Sequence, residues 1–475
     1  MTDEFDILFS QCMPAFTNPD IWKRARELAY GALTCMGRHT LTGMLTSSGR
    51  QFVDWSSAYR LFSHQRVDTT KMFEVVQSSV LNETEQGQMV IAHMDDTILR
   101  KSGRHVPGAA WRRDPLGPPF HTNFIWGQRF LQISMALPEY DKSGQSRAVP
   151  VDLHHCPTLK KPGKAADEEQ WKQYKEMQKK AKLSRQGSER ITLMREKLDR
   201  SNAKDKQLVI SVDGSYTNTQ VLKNLPAKVT LIGRIRKDTK LYELPNTQIS
   251  VGRKRAYGER LPTPEQVRQS DNYNWQEVKA WAAGKVHNFN IKIVNNVRWR
   301  SAGGNQDLML IVIRPLGYRL TKSSKILYRE PAYLICTDTK MDIQKLLQSY
   351  LWRWEIEVNF REEKTILGCG QAQVRNPNSA QDIPAFITAL YSMLHLANYR
   401  ASKLSHQSLL PRPKWYNKDD TKRTTTGDLI NNIRAQLWSK AIGTNFSSFV
   451  DQQFYLRSCK NTANPITSAM FYMRN

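Results

Sequence analysis

Over the first 85 or so residues, apolar side chains recur at helical spacing in short runs, DIWKRARELAYGALTCMG, HTLTGMLTSSG, WSSAYRLFSHQRVD and TKMFEVVQSSVLN, punctuated by glycine and serine. From about residue 88 the pattern becomes strand-like. QMVIAHMDDT is an apolar run ending in Asp95 and Asp96, RFLQISMALPE and RAVPVDLHH flank the turn DKSGQ as a hairpin, and QLVISVDGSY runs into Asp213. Between that hairpin and the last strand, 164–200 is dense in Lys, Glu, Gln and Arg, which predicts an exposed helix kinked near Gly187. The stretch 219–333 breaks the alternation: KVTLIGRIR, NFNIKIVNNVRWR and DLMLIVIRPLGYRL are separated by basic loops such as SVGRKRAYGERLPTPEQ, and read as a β-rich insertion. PAYLICTDT returns to a buried strand and leads into a charged helix. From 404 onward a basic loop and DLINNIRAQLWSKAI form a helical tail. The pattern predicts an α/β fold with five segments: 1–87, 88–218, 219–333, 334–403 and 404–475.

A carboxylate at the end of a buried strand is costly unless a partner compensates it. Two strands ending in Asp96 and Asp213, with Glu357 on a helix, would supply oxygen ligands for Mg²⁺. Two such ions can activate a water or a 3′-hydroxyl in an attack on a phosphodiester. Each aspartate also fits ordinary turn chemistry, and Asp338 after PAYLICT shows the same pattern.

The charged helix is YLWRWEIEVNFREEKTILG. At about 100° per residue, Tyr350, Arg353, Glu357 and Lys364 fall at roughly 0°, 300°, 340° and 320°, on one face. Glu355, Glu362 and Glu363 fall at roughly 140°, 120° and 220°, where charged side chains are normally solvated. One carboxylate beside a phenol, a guanidinium and an ammonium suits a phosphate backbone next to a metal ion. The same residues also fit an ion-paired helix.

Charge favours a polyanionic partner. The chain has 70 Lys and Arg against 44 Asp and Glu, a formal charge of +26. The six cysteines lack CxxC spacing, which argues against a disulfide framework or zinc ribbon and for a reducing compartment. His154-His155-Cys156 is a poor match to zinc-ligand spacings. The apolar run LMLIVI is too short to span a bilayer, and the acidic start lacks a signal peptide's basic region, so a cytoplasmic protein without membrane binding is expected. The loop RKRAY, with Arg253, Lys254 and Arg255, is a candidate for contact with a nucleic-acid backbone.

The spacing of Tyr350, Arg353, Glu357 and Lys364 resembles the Y-R-E-K signature of bacterial DDE insertion-sequence transposases of the IS-four superfamily. MDDT resembles the family's first-aspartate motif, VDGSYTN its second, and AYRLFSHQRV, with Arg60, part of its DNA-end-binding domain. The resemblance covers about residues 20 to 376. It implies a ribonuclease-H-like catalytic core over 88–218 and 334–403, with 219–333 inserted in it and 1–87 as the DNA-end-binding domain. It also implies Asp96, Asp213 and Glu357 as catalytic metal ligands. Asp96 is preferred because the family's aspartate often precedes a threonine, here Thr97, with Asp95 as the alternative. Tyr350, Arg353 and Lys364 would contact phosphates near the cleavage site. The implied reaction is cut-and-paste transposition with two Mg²⁺ ions, Mn²⁺ substituting: end cleavage, a hairpin as in most relatives, then joining to target DNA. Its partners would be the element's terminal inverted repeats, target DNA and a second copy of the chain at synapsis, in a bacterial cytoplasm and on the nucleoid when DNA-bound. An aromatic side chain of the insertion would stack on a flipped base, with Trp275, Trp281 and Trp299 as candidates, each of which also fits a core role. A DNA-binding regulator with a decayed site, or a nuclease that cuts without joining, would share many of these features.

Overall fold

The computed structural model describes all residues except 85, 86, 88, 115, 116, 119, 140–143, 246–254, 320–322, 405–409, 412–422, 452–463 and 473–475. Helices α1 (Thr2–Gln11), α2 (Pro19–Thr34), α3 (Leu41–Ser47), α4 (Ser56–Ser63) and α5 (Thr69–Glu83) come first. Local chemistry sets their starts: the side chains of Asn18, Thr40 and Asp68 accept from backbone N–H groups in the first turns of α2, α3 and α5.

The strands follow: β1 (Met89–Arg100), β2 (Ala110–Arg113), β3 (Phe124–Pro138), β4 (Ser146–His155) and β5 (Gln207–Val212), with α6 (Glu168–Lys180) and α7 (Leu183–Asp199) before β5. Then come α8 (Thr219–Leu222), β6 (Val229–Arg234), α9 (Pro264–Gln269), β7 (Gln276–Ala282), β8 (Lys285–Arg298), β9 (Asp307–Ile313), the small pair β10 (Gly317–Tyr318) and β11 (Leu327–Tyr328), and β12 (Ala332–Cys336). One mixed sheet runs β2-β3-β1-β5-β6-β12-β9-β8-β7, with β4 also paired to β3. Its central part is β4-β3-β1 antiparallel, then β5 and β6 parallel to β1. The strands β7 to β9 continue that same sheet through β12.

The segment 164–200 departs from its expected form. It makes two helices that break at Ala181–Lys182, because α7 is amphipathic enough to bury Ile191, Met194 and Leu198. Gly187 is a point of close approach: a Cβ there would lie 2.9 Å from the buried Tyr216 ring and 3.1 Å from Met94 Cε. Gly187→Ala is expected to cost ~1–3 kcal/mol by overpacking, read as a lower denaturation midpoint at unchanged slope; an unchanged midpoint would contradict this packing.

Helices α10 (Ile343–Trp352), α11 (Trp354–Thr365) and α12 (Pro377–Leu404) complete the core, followed by α13 (Thr426–Ala441), α14 (Phe446–Val450) and α15 (Pro465–Met470). Through FITALYSMLHLA, α12 is apolar nearly all round, so it is buried. It packs on β4 and on α1, α4 and α5, with Phe386 edge-on to Phe62 at 5.5 Å. The first helices therefore share one apolar cluster with the sheet. Helix α13 ties back to the start of the chain, where Gln436 accepts from the Thr2 backbone N–H (2.8 Å) and Lys440 pairs with Asp3 (3.1 Å). Among the described residues no helix is long and apolar enough to cross a membrane.

Candidate active site

Strand β1 continues through Asp95 and Asp96 to Arg100, so the two aspartates lie in mid-strand rather than at its end. Alternation then puts their side chains on opposite faces of the sheet. Met94 pairs with Val212 in the parallel β1–β5 register, which sets Asp213 beside Asp95. Two residues earlier on β5, Ser211 Oγ donates to the Ser349 carbonyl of α10 (3.3 Å), marking this as the face covered by α10 and α11. Asp95 Oδ2 accepts from Arg353 Nη1 at 3.1 Å. Asp96 points the other way, accepting from Tyr216 Oη (2.8 Å) and pairing with Arg129 (3.3 Å). Of the two aspartates, Asp95 is thus the one on the Asp213 and Glu357 side.

Electrostatics group the same residues. Burial first, and then the charge of Asp213, push the Asp95 carboxyl up to about 7; Arg353 opposes this and Glu357 adds to it. The Asp96 carboxyl is also raised, by burial and in smaller part by Asp213, against Arg129 and the Tyr216 hydrogen bond, and Glu357 is not among the main charges acting on it. Asp213 closes its own turn, accepting from the Ser215 N–H (2.9 Å) and hydroxyl (3.1 Å). Asp338 is excluded by direction, because β12 runs antiparallel to β6 and its C-terminal end lies at the opposite end of the strands from Asp213.

The charged helix differs from a single continuous wheel. It is two helices meeting at Arg353, where the Arg353 N–H bonds Tyr350 O and the Ile356 N–H bonds Arg353 O, both tight three-residue closures. The Arg353 guanidinium lies over the Tyr350 ring (5.9 Å) and reaches Asp95. The glutamates expected in solvent are the ones with partners. Glu355 pairs with Arg423 (2.7 Å), Glu362 accepts from Tyr391 Oη (2.8 Å), and Glu363 is buried. Glu357 is exposed and, among the described residues, makes no hydrogen bond or ion pair. The reason is tertiary: β3, β4 and α12 cover the side of α11 that an isolated wheel assigns to water. Lys364 is half-buried over the Phe360 ring (5.7 Å), its ammonium pulled down by burial and supported in part by Glu357.

Arg60 is exposed on α4, near Asp54 at 3.9 Å. Arg255 is exposed, while Arg253 and Lys254 lie outside the described residues. The three tryptophans of 219–333 have structural contacts: Trp275 carries Lys292 (4.5 Å) on its ring, the Trp281 backbone N–H donates to Gln348 Oε1 (2.8 Å), and Trp299 packs against the core. Trp354, unremarked in the sequence, is largely exposed beside Arg353.

Among the described residues no group of three or more His, Cys, Asp or Glu side chains converges closely enough to hold a metal ion. The donor chemistry nonetheless suits a hard divalent cation, since Asp95, Asp213 and Glu357 are all carboxylates and the latter two both repel Asp95. The DDE superfamily endonuclease profile matches residues 11–302, well over half of the chain. The protein belongs to that family. The match includes Asp95, Asp96 and Asp213 and stops short of α10 and α11. No curated protein sequence matches the chain.

Proposed function

We propose that this protein is a metal-dependent DNA transposase of the insertion-sequence type, of the IS-four Y-R-E-K group, with Asp95, Asp213 and Glu357 as its metal-holding carboxylates. The observation that carries the proposal is the register that sets Asp213 beside Asp95, whose carboxyl is also raised by Glu357, on the face of the sheet covered by α10 and α11. The order β4-β3-β1-β5-β6 is consistent with a ribonuclease-H-like core, and DDE endonucleases typically use divalent metal ions.

Asp95, Asp213 and Glu357 would hold Mg²⁺, with Mn²⁺ able to replace it. When bound, a pair of such ions supplies activation of a water or 3′-hydroxyl and stabilisation of the leaving oxygen. The chain supplies the rest. Arg353 pairs with Asp95 and offsets part of the burial and repulsion that would otherwise protonate it. Lys364, about two turns along α11 from Glu357, offers an ammonium for a phosphate. Tyr350 backs the Arg353 guanidinium and fixes its direction. The excess of 26 positive charges draws in duplex DNA. The reaction proposed is cleavage at the element's terminal repeats, through a hairpin, followed by joining to target DNA, with two copies of the chain at synapsis in the bacterial cytoplasm.

The test is incubation with Mg²⁺ and a labelled duplex carrying the element's own terminal repeat. Wild type is expected to cut at the end, and Glu357→Gln to lose cleavage by roughly 10³-fold, the loss of several kcal/mol of transition-state stabilisation, while still binding the duplex. Adding target DNA then separates a transposase, which yields joined product, from a nuclease. Binding without cleavage by wild type in either Mg²⁺ or Mn²⁺ would overturn the proposal.

A further inference from the structure

Strands β2 and β3 form a hairpin beyond the active-site end of β1. Its pairing sets Trp111 opposite Trp126 and Arg113 opposite Phe124, and directly opposed residues of an antiparallel pair share a face. The β1–β3 register sets Gln132 opposite Asp95 and Gln128 opposite Leu99. By alternation the even-numbered β3 residues, Phe124 and Trp126 included, lie on the Asp95 face. Trp111, Trp126, Phe124 and Arg113 therefore extend the catalytic face outward.

Trp111 and Phe124 are exposed where apolar burial would be the norm, and Trp126 is half-buried. Trp111 is 65% exposed and Phe124 56%. Trp111 sits edge-to-face with Trp126 at 5.7 Å, and the Trp126 indole N–H is anchored on the Gly103 carbonyl (3.1 Å). Trp126 is thus held in place, and Trp111 packs on it. The charge of the hairpin names the occupant: 100–127 holds five Lys and Arg against one acid, Asp114, which Arg100 already neutralises at 2.8 Å. Arg104 and Arg113 are exposed. Lys101, opposite Trp126, is spent on the Gly370 and Ala372 carbonyls, which pins the base of the hairpin to the segment following α11.

We infer that this hairpin is a second DNA-contacting surface, on which Trp111 stacks an unpaired base while Arg113 meets the backbone. The inference rests on the nucleic-acid reading above and deepens it. From Asp95 to the level of Lys101 the strand advances about 20 Å, close to six nucleotide steps at about 3.4 Å each. The surface is therefore placed for the strand leading away from the cut. Exposed indoles bind bases without regard to sequence, and cations beside them hold the phosphates.

The experiment measures binding of the full chain, with Ca²⁺ in place of Mg²⁺ to prevent cleavage, to a short labelled duplex and to the same duplex with a central unpaired bubble. Trp111→Ala is expected to weaken bubble binding about tenfold or more and to leave plain-duplex binding within about twofold, with Trp111→Phe restoring most of the loss. Arg113→Ala should weaken both and reduce the salt dependence by about one ion. Unchanged bubble affinity in Trp111→Ala, with wild type binding DNA, would overturn the hairpin's role and leave the transposase reading intact. Failure of wild type to bind either DNA would overturn both. A change in oligomeric state with no change in DNA affinity would reassign the surface to a second copy of this chain.

Discussion

Asp95→Asn is expected to lower metal-dependent DNA cleavage by roughly 10³-fold or more, whereas Asp96→Asn lowers it by less than about tenfold and acts mainly on stability. The two neighbours are chemically identical, and the difference comes from the pleat. Asp95 shares a face with Asp213 and the α10–α11 pair, and its carboxyl is the one that responds to both Asp213 and Glu357. An amide there keeps the size and removes the anion a divalent cation requires. Asp96 faces Tyr216 and Arg129 instead. Asn retains the acceptor for Tyr216 and gives up the charge opposite Arg129, a loss of about 1 kcal/mol for a partly exposed pair. Cleavage of the terminal-repeat duplex by both variants, with thermal unfolding alongside, checks this. An active Asp95→Asn with an inactive Asp96→Asn would reverse the assignment and make Tyr216 and Arg129 the neighbours of the metal.

That pair shows what the sequence made legible and where it stopped. The apolar runs located β1, β3, β4, β5 and β12 because strands buried on both faces are nearly uninterrupted apolar stretches. Helices α2 to α5 were marked by the periodicity of their apolar positions and by the glycines and serines between them. Which of Asp95 and Asp96 faces the helices depends on the register with β5, a long-range pairing that no local pattern encodes. The helix wheel put Glu357 on the side of Arg353, and both act on Asp95, but it reversed the environments of the glutamates. A wheel assigns faces around one axis, whereas burial depends on what packs against it: Glu363 meets β3, and Glu362 meets Tyr391 of α12. The close approach at Gly187 was invisible for the same reason, since its partners lie on β1 and beyond β5.

Glu363 yields the second large effect. Its carboxyl is fully buried beside Gln132 of β3, one oxygen lacks a hydrogen-bond partner among the described residues, and burial pushes it up to about 8. The folded protein therefore holds Glu363 as a neutral acid at pH 7, next to a Lys364 whose ammonium burial also disfavours. The sign follows from proton counting. Below about pH 4.5, the ordinary value, folded and unfolded chains both carry the proton and the site costs nothing. Between that value and about 8 the unfolded chain releases the proton and the folded chain does not, so stability falls as pH rises, at up to about 1.4 kcal/mol per pH unit. Above about 8 the penalty is complete. Glu363→Gln, neutral at every pH, is expected to match wild type near pH 4.5 and to exceed it by a few kcal/mol at pH 9. The difference between variant and wild type, from denaturant unfolding at several pH values, isolates Glu363 from the other raised carboxyls, Asp95, Asp96 and Asp382. A difference independent of pH would mean that Glu363 is ionised in the folded state, and that α11 is held against β3 by a charge rather than by a neutral acid.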